Sequence, residues 1–171
     1  MDWFVIVFRI VHIVAAMAWA GGAALFFFYL EPTMNKLGPD ADKFVDELLN
    51  KRKLPIYFVA ASTIAVLGGA VLYVRDAGGL TLWLNTTPGI TYTIGALSAI
   101  VAWIGGNGFI PSTVFKIQAV GGEIRAAGGA PSPELMTRLH GLQHRLRMIG
   151  AIDLVLIVVA ILCMESARYL I

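Results

Sequence analysis

The chain has 171 residues, 58% of them hydrophobic and 14% charged, with a net charge of +2. That length allows one domain, the composition is far from a soluble average, and the small, unclustered positive charge argues against nucleic-acid binding. The single cysteine, Cys163, cannot form an internal disulfide, so cysteine usage does not reveal the redox compartment.

Four apolar stretches, at about residues 3–30, 54–74, 90–110 and 147–166, are each long enough to cross a bilayer's hydrocarbon core. The expected fold is therefore all-α. It is an integral membrane four-helix bundle, one transmembrane domain over residues 1–171, surrounded by lipid. Asp2 caps the first helix and Pro32 lies just past its end. The first span is too long for a signal peptide and no small-residue cleavage site follows it, so it is read as retained.

Residues 39–53 pattern as a short amphipathic cytoplasmic helix, with Phe44, Leu48 and Leu49 on one face and Asp42, Lys43, Asp46 and Glu47 elsewhere. Gly78–Gly79 and Thr86–Gly89 are turn signals. The Gly-, Ala- and Pro-rich stretch Val120–Pro133 is expected to be a mobile loop. Ser132, Pro133 and Glu134 form a helix start, with a cap, a proline at the first position and an acid in the first turn. The fourth helix thus begins well before the membrane, as a cytoplasmic extension. Leu135, Leu139, Leu142 and Leu146 form a stripe along it.

Ten of the 13 basic residues flank two connections. Lys36, Lys43, Lys51, Arg52 and Lys53 lie in the first; Lys116, Arg125, Arg138, Arg145 and Arg147 lie in or beside the third. Arg9, Arg75 and Arg168 belong to the other side. The positive-inside bias makes loops one and three cytoplasmic and puts both termini outside. Trp3, Tyr73, Trp83 and Tyr169 fall at depths that suit the headgroup boundary.

Ala18-Trp19-Ala20-Gly21-Gly22 in span one is echoed by Ala102-Trp103-Ile104-Gly105-Gly106 in span three, each followed by Phe and then Pro. This is either a chance match of small residues or a trace of two parallel-repeated helix pairs. Small residues recur at every fourth position, as at Ala16, Ala20 and Ala24, or Ala61, Ala65 and Gly69. Such ridges let helix backbones approach closely.

Few groups can carry chemistry. His12 lies about nine residues into span one, with Arg9 a turn above it and Trp19 two turns below. Inward-facing histidines are good haem ligands in helical bundles; the plainer reading is a neutral imidazole hydrogen-bonded to a neighbouring helix. Depth counting sets His12 level with Ala65, Ala99 and Val159, where no second histidine stands. Met17, Cys163 and Met164 are soft ligands at other depths or faces. Arg9 and Glu165, both near the outer boundary, are expected to pair. Asp153, inside the cytoplasmic half of span four, is level with Ala24 and with Gly106–Asn107. Asn107 is its expected hydrogen-bond partner, and the two form either a polar path for a proton or cation or a bond that orders the bundle. His140 and His144 share a face at a spacing that binds metals, but they lack the intervening glutamate of a zinc-protease motif and have Arg138, Arg145 and Arg147 nearby. No nucleotide-binding glycine pattern and no Ser/His/Asp arrangement is present.

The run from His12 through Trp19 to Gly21-Gly22, followed by Phe26-Phe27-Phe28 and Pro32, resembles the first helix of the copper-resistance protein D superfamily. The small haem-b membrane family linked to protoporphyrinogen oxidation has a similar first helix. The end of span four, Met164-Glu165-Ser166-Ala167-Arg168-Tyr169-Leu170, looks like that of a related uncharacterised four-helix family. The haem-b resemblance implies that His12 ligates haem b; Trp19 and Met17 on the same helix are the other candidate cofactor-binding residues. The lysine of that family's third helix has no counterpart between Ile90 and Ile110. The copper family implies copper movement, which favours clustered Met and Cys; here Met17, Cys163 and Met164 are scattered.

The resulting expectation is a multi-pass protein of a bacterial inner membrane, forming a homodimer. Its leading role is haem-b redox chemistry at His12 with a lipophilic partner. The alternatives are copper or small-solute permeation past Asp153 and Asn107, or a non-catalytic accessory subunit.

Overall fold

The structure is a computed structural model that describes residues 2–78, 80–128 and 130–170. Four long helices carry the fold: α1 (Trp3–Leu37), α3 (Leu54–Ala77), α5 (Thr87–Ala126) and α6 (Pro133–Ala167). Two short ones join them: α2 (Asp42–Asp46), which runs on as a π-helical turn at Glu47–Lys51, and α4 (Leu80–Trp83). No strand occurs among the described residues. Each long helix is apolar enough to cross a membrane. At 1.5 Å per residue, α1, α5 and α6 exceed a hydrocarbon core of roughly 30 Å and project beyond it.

Caps begin the helices where the sequence suggests. The Asp2 carboxylate accepts the Val5 N–H at 3.4 Å, and the Ser132 hydroxyl accepts that of Leu135 at 3.3 Å. Thr86 starts α5 by accepting the Gly89 N–H at 3.1 Å. Gly89 is sterically required, because a side chain there would run into the Trp83 carbonyl. Gly78 ends α3 in the left-handed region, with φ of 55°; its expected turn partner Gly79 lies outside the described residues.

Two helix ends fall elsewhere than expected, for one reason. Pro32 does not stop α1, and Pro111 does not stop α5. A proline inside a helix lacks an N–H and presses on the carbonyl four residues back. Here the chain widens into a π-helical turn just before each one, at Phe26–Leu30 and at Gly105–Phe109. The N–H of Glu31 reaches the Phe26 carbonyl, and that of Ile110 reaches the Gly105 carbonyl. Both helices continue, α1 to Leu37 and α5 to Ala126. The loop expected from Val120 is consequently helical up to Ala126, and Val120 is fully buried. The amphipathic segment at 39–53 is also interrupted: a 3₁₀ turn at Gly38–Ala41 precedes α2.

Packing is strongest within two pairs, α1 with α3 and α5 with α6; α3 touches α5 and joins them, whereas α1 and α6 meet only briefly. The shared core is made of small residues, Ala15, Ala61, Ala65 and Ala102, filled out by Trp19 and Ile157. Long apolar side chains point outward instead, Met17 among them at 70% exposure. That inversion suits a lipid solvent, which gives helices no hydrophobic reason to associate and rewards close backbone approach.

Ion pairs mark the two ends of the bundle. Arg125 on α5 reaches Asp42 on α2 at 2.7 Å, and Arg138 on α6 reaches Glu123 at 3.4 Å. The first and third connections therefore share one end. At the other, Arg75 pairs with Asp2. Tyr73 there packs edge-on to Trp83, which stacks on Tyr92, and the Tyr73 hydroxyl bonds to Thr93 at 2.6 Å.

Candidate binding site between the helices

A cavity of about 230 Å³ lies in the half of the bundle nearest loops one and three, with residues of the π-helical turns of α1 and α5 in its wall. Trp19 and Asp153 stand at its inner end; Asn50, Gln118 and Leu146 stand toward the loops. The Ala15, Ala61, Ala65 and Ala102 core closes the bundle beyond it.

Asp153 is 7% exposed, and its Oδ1 has no hydrogen-bond partner. It faces the π-helical turn of α5, where a Cβ at Gly105 or Gly106 would lie 3.5 or 3.6 Å from that oxygen. The depth match with Gly106–Asn107 holds, but the expected bond to Asn107 does not form. Asn107 Nδ2 donates to Ser62 Oγ at 3.1 Å and to the Trp103 carbonyl at 2.8 Å. Both amide hydrogens of Asn107 are thereby used. Asp153 and Asn107 still line the same cavity. A buried carboxylate without a partner is costly in a low-dielectric interior.

Glu31 is a second acid in the wall, 4% exposed. Its carboxylate faces the Arg147 guanidinium at 3.6 Å and accepts from Asn35 at 3.5 Å. Arg147 lies over the Phe27 ring, 4.9 Å from its centroid, and Gln143 donates to Asn35 at 3.2 Å. Sequence reasoning passed over Glu31 because Pro32 reads as a terminator, which puts the acid outside the span. An acid directly before a proline, with Arg147 at the start of the last span, was the available signal.

His12 packs on α3 at the level of Ala65. Its Nδ1 lies 2.7 Å from the Ala65 carbonyl. A carbonyl can only accept, so Nδ1 is the donor in this bond. The ring lies against Gly69, where a Cβ would come within 2.9 Å of Cε1. This is the hydrogen-bonded imidazole of the plainer reading, and it is also how proteins orient a ligating histidine. The other residues expected at a haem site do not join it. Met17 points away from the bundle, and Trp19 lines the cavity, which His12 does not. His12 thus presents its ring outside the cavity that Trp19 lines. The soft ligands do not converge either: Cys163 and Met164 pack against Gly95, far along α6 from the cavity.

The expected Arg9–Glu165 pair is absent among the described residues. Glu165 pairs with Arg168 at 2.9 Å on its own helix, a partner one turn away that needs no second element. His140 and His144 are both exposed on α6, and no cluster of three or more metal-ligating side chains occurs among the described residues.

The chain matches no protein-family model, no curated protein and no solved structure.

Proposed function

We propose that this chain is a small-solute binding and permeation protein of a bacterial inner membrane, with loops one and three in the cytoplasm and both termini outside. The observation that carries this reading is the unpartnered Asp153 carboxylate in a cavity shared by all four long helices. Ionisable groups at membrane depth mark substrate and ion pathways. The cavity extends toward the basic, cytoplasmic end and is closed by the alanine core toward the other, as an inward-facing state requires. Uptake of a panel of small labelled solutes into proteoliposomes tests it. At least one solute should enter, and Asp153→Asn should abolish its entry; indifference of all uptake to that substitution would reject the reading.

A second reading, haem b held by His12 for redox chemistry, is favoured by the Nδ1 bond to Ala65, which leaves Nε2 available. It requires a second copy of the chain to enclose the macrocycle. A Soret band in protein from haem-replete cells, lost in His12→Ala, supports it; colourless protein eliminates it.

A further inference from the structure

We propose that the cavity takes an organic ammonium ion with a compact apolar body, its charged nitrogen seated on Asp153 and its body against Trp19, Phe26 and Phe58. The proposal rests on the reading of the cavity as a binding site and adds the chemical class of the ligand.

Among the described residues none supplies a cation to Asp153. Oδ1 is unpartnered. Arg147, the base at the cavity's edge, is taken by Glu31 and stacked on Phe27. Asn107 has spent both amide hydrogens elsewhere. The charge that neutralises Asp153, a proton or a bound cation, therefore comes from outside the chain.

The rest of the wall decides what kind of cation. Calcium takes six to eight oxygen ligands, and magnesium a near-octahedral set. Among the lining side chains near Asp153 at the inner end, oxygen comes from the hydroxyl of Ser62 and the amide of Asn107, which are bonded to each other. Transition metals need clustered His, Cys or carboxylate groups, and none is present among the described residues. What the cavity does offer is aromatic surface. Trp19, Phe26 and Phe58 line it, and aromatic faces attract organic cations while accommodating their apolar parts. A cavity of about 150 Å³ is enough for benzene. The volume here, about 230 Å³, adds room for a short aminoalkyl arm. The unpartnered Asp153 carboxylate disfavours an anion.

The test uses the full chain in nanodiscs of phosphatidylglycerol, so that no lipid amine competes. Three probes of one shape are compared by equilibrium dialysis: 2-phenylethylammonium, neutral 2-phenylethanol and anionic phenylacetate. The ammonium probe should bind saturably at one site. Asp153→Asn should weaken it at least about 30-fold and leave the neutral probe nearly unchanged, with the fold checked by size-exclusion chromatography. Should Asp153→Asn not fold, Ala23→Phe, which fills the cavity from α1, should abolish ammonium binding while Val14→Ala, on the outer face of the same helix, leaves it intact. Equal binding of the ammonium and neutral probes would overturn the ligand class and leave the binding site standing. Failure of all three to bind folded protein would overturn both.

Discussion

Arg147 holds Glu31 across the place where α1 and α6 come together, at 3.6 Å, with Asn35 and Gln143 continuing the polar chain on the loop side. The two helices touch little elsewhere, so this contact fixes how far apart the two helix pairs stand at the mouth of the cavity. Its two partners are unequal. The Glu31 side chain is 5% exposed and that of Arg147 is 52% exposed.

That inequality predicts an asymmetric response. Arg147→Met leaves a buried carboxylate uncompensated and should cost about 3 kcal/mol. Glu31→Gln frees an arginine that can turn to solvent and should cost under about 1 kcal/mol. Denaturation of the detergent-solubilised variants measures both. Equal losses would show that the pair is not buried as described.

The His12 ring and Gly69 form a lock between α1 and α3. Gly69→Ala puts a methyl 2.9 Å from Cε1 and should cost about 1–3 kcal/mol through overpacking. His12→Ala opens the space, so the double variant should recover most of that loss, a non-additivity that a double-mutant cycle measures. Strict additivity would mean that the two residues do not touch.

Gly106 should separate stability from binding. A methyl there lies 3.6 Å from both oxygens of Asp153, an ordinary contact. Gly106→Ala should therefore keep or raise stability, by up to about 1 kcal/mol from helix propensity. It also covers the carboxylate, so binding of 2-phenylethylammonium should fall about tenfold. Unchanged binding would place the ligand on another side of Asp153.

Much of the architecture was legible because membrane helices announce themselves by length and hydropathy. The starts at Asp2 and Ser132 were legible because caps are local. Depth counting placed His12 beside Ala65 and Asp153 beside Gly106, since a helix converts residue number into height. Pro32 and Pro111 misled because a π-helical turn costs one extra residue and leaves no local signature; whether a proline ends a helix or passes through depends on tertiary support. The same effect hid Glu31. The Gly-, Ala- and Pro-rich composition of Val120–Pro133 suggested a loop, yet packing of lower α5 on α6 holds it helical to Ala126. Asn107 and Arg9 were assigned partners by depth alone, and depth does not report direction around a helix axis. Asn107 turns to Ser62, and Glu165 is satisfied by Arg168.

The central claim is a cavity inside the membrane, open to the cytoplasmic side and ending at Asp153. Ala23 lines it, and Cys163 is the one native thiol. The decisive measurement is labelling of Ala23→Cys, in a Cys163→Ala background, by a small membrane-impermeant cationic thiol reagent. Inside-out vesicles should label readily and right-side-out vesicles should not, and 2-phenylethylammonium should protect. Labelling from the outer face alone, or from neither face in folded protein, would contradict the account.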